Sequence, residues 1–257
     1  MPAAPNARAS GERHRIAQGI EAGRRAPLWR EWLPPMDFVK AAGDKAAEAM
    51  YVRFRLIAHE LYDLGIDSNC APMVDVPRAE THEFLYNRCY GVTASSIALM
   101  GQAANDAMLA GGVLPVIKHI PGHGLATADS HFELPRVSAP REELDRVDFS
   151  PFKALRDTPM GMTAHVVYDA VDKAPATLSK RMMQVIREDI GFDNLVMTDD
   201  ISMKALSGTL SDLSRDAIKA GCDVILHCNG TLAERAEVAE AAGEMTDAAQ
   251  RRALRAL

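Results

Sequence analysis

The sequence predicts an α/β fold of the (β/α) TIM-type barrel class, and three observations support this prediction. Short, nearly continuous apolar segments alternate with segments of helical periodicity, which is typical of a parallel sheet covered on both faces. Several apolar segments end in polar residues, as barrel strands do where they reach an active site. The length of 257 residues also suits a single barrel domain.

The N-terminal part of the chain divides into two regions. Residues 1–26 are rich in Ala, Arg and Gly and lack apolar periodicity, so we interpret them as an irregular arm without a strand. Residues 27–257 are the predicted barrel domain. Its first helical pattern runs from about 38 to 64, and Gly65 suits the position after the helix C-terminus.

Five strands and the helices between them are predicted in the remaining sequence. The strands cover residues 66–76, 113–119, 160–168, 194–200 and 222–228. The helices cover residues 92–112, 141–157, 179–190 and 211–220, and one or two more follow the last strand. A closed barrel of this type needs eight strands. We therefore predict a barrel that lacks its first strands at the N-terminus.

Composition excludes several classes of function. Charged residues make up 25% of the chain and the formal net charge is −6, so no basic surface for nucleic acid or an anionic membrane is predicted. The first ten residues lack the apolar core of a secretory signal, and no segment approaches the roughly 18 apolar residues of a membrane span. We expect a soluble cytoplasmic protein, monomeric unless exposed barrel edges drive association.

The segment KHIPGHGLATADSH, residues 118–131, concentrates side chains with catalytic chemistry. A strand brings Lys118 and His119 to the barrel mouth, and proline and glycines then allow a sharply bent loop. Asp129 and His131 follow two residues apart, so the carboxylate can orient the imidazole and raise its basicity. This pair suits a general acid or base, although Asp-x-His alone is also typical of a polar loop with a helix cap.

The segment LVMTDDISM, residues 195–203, places Asp199 or Asp200 at the C-terminal end of a strand. A carboxylate there can attack an anomeric carbon and form a covalent glycosyl intermediate. One of the two can instead cap the following helix. Weaker candidates, each also typical of a turn, surface or core residue, are Asp75, Arg88, His165 and His227.

The histidines of the 118–131 segment also raise the alternative of a metal site. The segment lacks the helical H-E-x-x-H pattern, and its glycines leave tetrahedral geometry unspecified. A metal-dependent barrel hydrolase that uses His119, His123 and Asp199 therefore remains an alternative.

Six segments resemble, in order, those of the family 3 glycoside hydrolases and, within that family, the bacterial β-N-acetylhexosaminidases of peptidoglycan recycling. They are APMVDV, NRCYG, KHIPGHGLATADSH, MTAHVVY, TDDISM and AGCDVILHC, and the resemblance spans residues 27–257. The resemblance implies a single barrel that hydrolyses terminal, non-reducing β-linked N-acetylglucosamine with retention. It implies a cytosolic muropeptide substrate and no metal or organic cofactor.

The resemblance also implies a role for each candidate by its motif position. Asp199 corresponds to the family's nucleophile, His131 to its histidine acid/base, and Asp129 to the partner of that histidine. The residues that correspond to those holding the sugar hydroxyls are Arg88, Lys118 and His119. The family's sugar-binding DQEGGRV segment is replaced here by QGIEAGRRAPLW. A catalytically impaired, sugar-binding remnant of the family is therefore a further alternative.

Overall fold

The computed structural model describes residues 16–17, 30, 32–127 and 133–257. Its strands are β1 (Ile16–Ala17), β2 (Ser68–Asn69), β3 (Leu114–Ile120), β4 (Arg136–Val137), β5 (Met160–Thr163), β6 (Val167–Tyr168), β7 (Leu195–Asp200) and β8 (Val224–Leu226). Six of them form one parallel sheet in the order β1-β2-β3-β5-β7-β8. The other two, β4 and β6, pair in parallel with each other.

Helices alternate with these strands. They are α1 (Pro35–Ala42), α2 (Ala46–Asp63), α3 (Glu83–Tyr86), α4 (Ala94–Ala110), α5 (Arg141–Glu143), α6 (Ser150–Ala154), α7 (Lys180–Gln184), α8 (Leu210–Ala220), α9 (Leu232–Ala242) and α10 (Asp247–Ala256). Hydroxyl side chains begin several of them: Thr93, Ser179 and Thr209 each accept a backbone N–H of the first turn. Within the described ranges, no helix has the length and apolar character needed to cross a membrane.

The sheet is curled, so side chains from successive strands converge on its concave face. This interior cluster contains Cys70, Val116, Met160, Met162, Leu195 and Met197, with Val224 and Leu226 packed against it. The opposite face packs against the helices through a larger apolar cluster. The predicted (β/α) barrel class is confirmed, in the form of a curled half-barrel sheet.

The last helix, α10, covers the lower end of the interior cluster, where the strands begin. Ala253 and Ala256 contact the cluster directly. Arg252 fixes the helix there, because its guanidinium donates to Asp223 at 3.0 Å and to Asp193 at 2.8 Å. The Asp223 carboxylate in turn accepts the backbone N–H of Val196 at 2.9 Å, at the start of β7.

Three predicted strands are shorter than expected, and one of them, predicted over 222–228, is limited to β8. The 66–76 segment pairs regularly only over β2, because Pro72 has no N–H to donate to the ladder, although the Ala71 and Pro72 carbonyls still accept N–H groups from β3. Pairing resumes as a single bridge between Met73 and Lys118. The 160–168 segment leaves the sheet after Thr163 and continues as β6, which pairs with β4 instead.

The N-terminal arm and several helices also differ from prediction. The helix expected over 141–157 consists of α5, a π-helical segment (Leu144–Asp148) and α6, and the helix expected over 179–190 continues from α7 as a π-helical segment (Val185–Asp189). No strand was expected in residues 1–26, yet β1 lies there and pairs with β2. A two-residue strand is too short to produce a periodic pattern. The helix expected over 38–64 is divided at Gly43, whose positive φ of 55° ends α1. Gly65 has a φ of 70° after α2, as the sequence predicts.

Candidate active site

The carboxyl ends of β3 and β7 form the centre of the site. Lys118, His119 and Asp199 are 3%, 6% and 7% exposed, so all three are nearly enclosed. The Nε2 atom of His119 lies 4.0 Å from Asp199 Oδ2. Lys118 is close enough for its ammonium to act electrostatically on Asp199. The structure therefore brings together three of the side chains that the sequence singles out.

Asp199 is held in its ionised form. Burial raises the pKa of its carboxyl, but the neighbouring His119 imidazole, the Asp200 backbone N–H and the Lys118 ammonium outweigh burial. The net result is a pKa below the ordinary value of 3.8. The Asp200 N–H donates to Asp199 Oδ1 at 2.8 Å, and Oδ2 faces His119. Such a carboxylate is chemically suited to act as a nucleophile.

Asp200, by contrast, uses its carboxylate to fix the turn that follows β7. Its Oδ1 accepts the backbone N–H of Ser202 at 3.0 Å and the Ser202 hydroxyl at 2.8 Å. The same oxygen accepts the backbone N–H of Cys228 at 3.3 Å, after β8. The two adjacent aspartates therefore differ in geometry: Asp199 faces the centre of the site, and Asp200 holds two loops together.

Asp75 is a central residue of the site, although its position in the sequence is also typical of a turn. It is fully buried after β2 and contacts both His119 and His123. Burial raises the pKa of its carboxyl, but the His119 imidazole and the hydrogen bonds lower it below 3.8 overall. The signal in the sequence is the apolar run on both sides of Asp75, because a carboxylate enclosed in this way needs donors nearby.

Two further histidines, His123 and His165, are buried among other side chains. Burial lowers the pKa of His123 to about 4, and its ring packs edge-on against His119 with centroids 5.6 Å apart. Burial also lowers the pKa of His165. The His165 ring lies 2.7 Å from Thr177 Oγ1 and donates from Nε2 to the Asp200 carbonyl at 3.1 Å. His165 is thus a hydrogen-bonded core histidine, one of the two interpretations that its sequence context allows.

Arg88 and His227 make their contacts with residues other than the three central side chains. Arg88 is half-buried and its guanidinium stacks on the Phe84 ring at 4.9 Å. In the described ranges, no hydrogen bond or ion pair joins Arg88 to Lys118 or His119. The His227 ring lies 3.7 Å from Asp200 Oδ1.

Asp129 and His131 lie outside the described residues, so their predicted roles stay predictions. The described chain ends at residue 127 on one side of them and resumes at 133 on the other. The segment that begins at residue 133 is held in place, because β4 pairs with β6 and the Pro135 carbonyl accepts the Val167 N–H at 2.9 Å.

The segment directly after β3, residues 121–127, is held in place by buried polar contacts. The Thr81 hydroxyl donates to the Gly124 carbonyl at 2.5 Å, and the Tyr168 hydroxyl donates to the Gly122 carbonyl at 2.6 Å. Gly124 also lies against the backbone of Val76. A Cβ at position 124 would stand 1.9 Å from the Val76 carbonyl oxygen, so only glycine fits.

A buried ion pair lies beneath the same loop. Asp148 is fully buried, and Arg78 Nη2 donates to its Oδ2 at 2.9 Å. Burial raises the pKa of Asp148 to about 7, and the Arg78 guanidinium offsets only part of that increase. Arg78 also donates to the Val76 carbonyl at 2.9 Å. This bond links the ion pair to Val76, whose backbone packs against Gly124 of the loop.

The described residues do not gather a metal-binding set. Across residues 32–127 and 133–257, no group of three or more His, Cys, Asp or Glu side chains is arranged to hold a metal ion. His119 Nδ1 is occupied by Asp75 at 2.7 Å. The set His119, His123 and Asp199, raised as an alternative from the sequence, therefore does not converge.

Comparison with known proteins gives a family match over almost the whole chain. The model described as the glycosyl hydrolase family 3 N terminal domain matches residues 14–256, and this range starts within the predicted arm. The β-hexosaminidase of Alkalilimnicola ehrlichii is 36% identical over 68% of this chain and 51% of its own length. That of Neisseria gonorrhoeae is 33% identical over 77% of this chain and 57% of its own. The chain thus spans little more than half the length of these relatives.

Solved structures agree with the family match. A family 3 β-N-acetylglucosaminidase from Paenibacillus sp. superimposes with a TM-score of 0.79 at 34% identity, over 87% of this chain and 45% of that one. NagZ from N. gonorrhoeae superimposes with a TM-score of 0.75 at 30% identity, over 86% and 67%. NagZ has also been solved in complex with a zinc ion. Motifs, fold and matches together establish that the chain belongs to glycosyl hydrolase family 3.

Proposed function

We propose that this chain removes terminal, non-reducing β-linked N-acetylglucosamine with retention of anomeric configuration. The observation that carries the proposal is the ionised, nearly enclosed Asp199 carboxylate beside His119 and Lys118. Further support comes from relatives named β-hexosaminidase at 33–36% identity and from solved β-N-acetylglucosaminidases of the same family. The substrate we propose is a muropeptide fragment in the cytoplasm, released during cell-wall recycling.

The first step forms a covalent glycosyl intermediate. Asp199 Oδ2 attacks the anomeric carbon from the face opposite the leaving oxygen, and the bond between that carbon and the leaving oxygen breaks. His131 transfers its proton to the leaving oxygen, and Asp129 stabilises the histidine that gives the proton up. Asp199 remains ionised in this site, so it is ready to attack at neutral pH.

The second step releases the sugar. His131, now neutral, takes a proton from water while the water oxygen attacks the anomeric carbon. The ester bond to Asp199 breaks and the carboxylate is regenerated. Two inversions at the same carbon give net retention. No metal or organic cofactor takes part in either step.

The side chains around Asp199 bind the sugar in this proposal. Lys118 and His119 border the nucleophile: Lys118 offers N–H donors, and His119 offers its ring Nε2, to hydroxyl groups of the sugar ring. Arg88 would reach the same sugar from the segment after α3, although its guanidinium rests on Phe84 in this structure.

Covalent trapping tests the nucleophile directly. A fluorinated N-acetylglucosamine analogue that forms a slowly hydrolysed ester is incubated with the protein, and the labelled peptide is mapped by mass spectrometry. We expect the label on Asp199. A label on any other residue would overturn the assignment.

A matched pair of variants tests the same assignment by rate. Asp199→Asn should lower turnover of an aryl β-N-acetylglucosaminide by at least about 10⁴-fold, the scale on which loss of a nucleophile acts. Asp200→Asn is the control, because an asparagine Oδ1 still accepts from Ser202 and Cys228. It should keep turnover within a few-fold of wild type.

The two alternatives from the sequence predict different outcomes. A sugar-binding remnant would bind N-acetylglucosamine without turnover in either the wild type or the Asp200→Asn variant. A metal-dependent hydrolase would lose its activity in EDTA and regain it with added metal. We expect turnover that is unchanged by EDTA.

A further inference from the structure

Asp75 has an unusual number of polar contacts for a fully buried carboxylate. Its Oδ1 accepts the backbone N–H of His119 at 3.2 Å and that of His123 at 2.6 Å. Its Oδ2 lies 2.7 Å from Nδ1 of the His119 ring. A buried carboxylate is costly unless donors surround it, and here all of its close donors come from β3 and the loop that follows.

These contacts fix which nitrogen of His119 carries a proton. An ionised carboxylate can only accept hydrogen bonds, so the His119 Nδ1 facing Asp75 must be the donor. The other nitrogen, Nε2, is turned towards Asp199 Oδ2 at 4.0 Å. His119 thus lies between two carboxylates: its Nδ1 is hydrogen-bonded to Asp75, and its Nε2 faces Asp199 in the site.

We propose that Asp75 is a positioning residue that sets the tautomer and the ring plane of His119, so that Nε2 faces the sugar beside Asp199. This inference rests on the proposed function, since it names a determinant of the same site. Asp75 acts through His119 and touches neither the substrate nor the reacting carbon.

The same carboxylate also fixes the start of the loop that leads to Asp129 and His131. It binds the His123 N–H, and that loop is further held by the Thr81 contact to Gly124. One side chain from the segment after β2 therefore orders two parts of the site, the end of β3 and the start of the loop that follows it. The backbone N–H contacts would survive in an asparagine variant, whereas the ring contact would change.

Asp75→Asn separates these two roles. Asparagine Oδ1 can still accept both backbone N–H groups, but its Nδ2 donates and so requires an unprotonated Nδ1 on His119. The proton then moves to Nε2. The comparable change in a Ser-His-Asp site lowers kcat by about 10⁴-fold. Because His119 binds and does not transfer a proton here, we expect kcat to fall by roughly 10²-fold or more with a smaller change in KM.

Histidine tautomers are read directly by NMR. In the full chain labelled with ¹⁵N-histidine, long-range ¹H–¹⁵N correlation should show a protonated Nδ1 for His119 in the wild type and an unprotonated Nδ1 in Asp75→Asn. The His119 signals are assigned by their loss in His119→Gln. The wild-type spectrum alone tests the proposal if the variant does not fold, because an unprotonated Nδ1 there would overturn it.

Asp223→Asn is the matched control. Asp223 is also buried, accepts a backbone N–H and pairs with arginines, but it lies at the opposite end of the sheet. It should keep the His119 tautomer and keep kcat within threefold of wild type. An Asp75→Asn kcat within threefold of wild type would refute the positioning role. An inactive wild type with the expected tautomer would refute the proposed function and leave the role of Asp75 intact.

Discussion

Gly124→Ala tests whether the loop after β3 depends on close backbone packing. A Cβ at this position would stand 1.9 Å from the Val76 carbonyl oxygen, whereas carbon–oxygen contacts are normally about 3.3 Å. The loop must therefore move by roughly 1.4 Å, and this shift separates the Gly124 carbonyl from the Thr81 hydroxyl. Overpacking costs ~2 kcal/mol and the lost hydrogen bond ~1 kcal/mol, so we expect a loss of about 3 kcal/mol of folding free energy.

Urea unfolding followed by circular dichroism measures this loss. With an m-value near 3 kcal/mol/M, the midpoint should fall by about 1 M. Turnover should fall as well, because the displaced loop leads to His131. Gly91→Ala is the control, since its Cβ would meet Ser96 Oγ at 2.6 Å, a hydroxyl that can rotate away. Equal midpoints for Gly124→Ala and wild type would refute the reasoning.

Two further predictions concern pH. The pKa of Asp148 is raised from 3.8 to about 7 in the folded state, so the folded state binds this proton more tightly and stability falls as pH rises from 4 to 7. Asp148→Asn should remove ~4 kcal/mol of that fall, so its stability relative to wild type should improve between pH 4.5 and 8 in urea titrations; an equal difference at both pH values would contradict this. Because the pKa of Asp199 is lowered below 3.8, kcat/KM should decline on the acid side only below about pH 4, and it should decline on the alkaline side as His131 loses its proton. A flat profile of kcat/KM between pH 5 and 9 would argue against a histidine acid.

The central part of the site is predictable from the sequence. Strands β3 and β7 are long, apolar runs, and the structure places each within one residue of its predicted bounds. Because parallel strands end at the same edge of a sheet, Lys118, His119 and Asp199 were expected to meet, and they do. The strand pattern alone does not separate Asp199 from Asp200, because both end the same strand; the family resemblance selects Asp199, which faces His119 in the structure.

Other features depend on contacts that are distant in the sequence. Asp75 bonds residues 44 and 48 positions away, so its role follows from how β2 and β3 pair and not from its own segment. The shortening of β2 follows from a single residue, Pro72, within an otherwise strand-like run. Strand β1 was missed because two residues carry no periodic signal and its pairing partner lies some fifty positions away.

The methionines of the barrel interior allow the packing of α10 against the interior cluster to be followed in solution. Met160, Met162 and Met197 are 5%, 1% and 1% exposed, and Ala256 lies across the same cluster. Thioethers react with peroxide only when it can reach them. Their oxidation, followed peptide by peptide, therefore reports how often the last helix detaches from the sheet, without any dye or label.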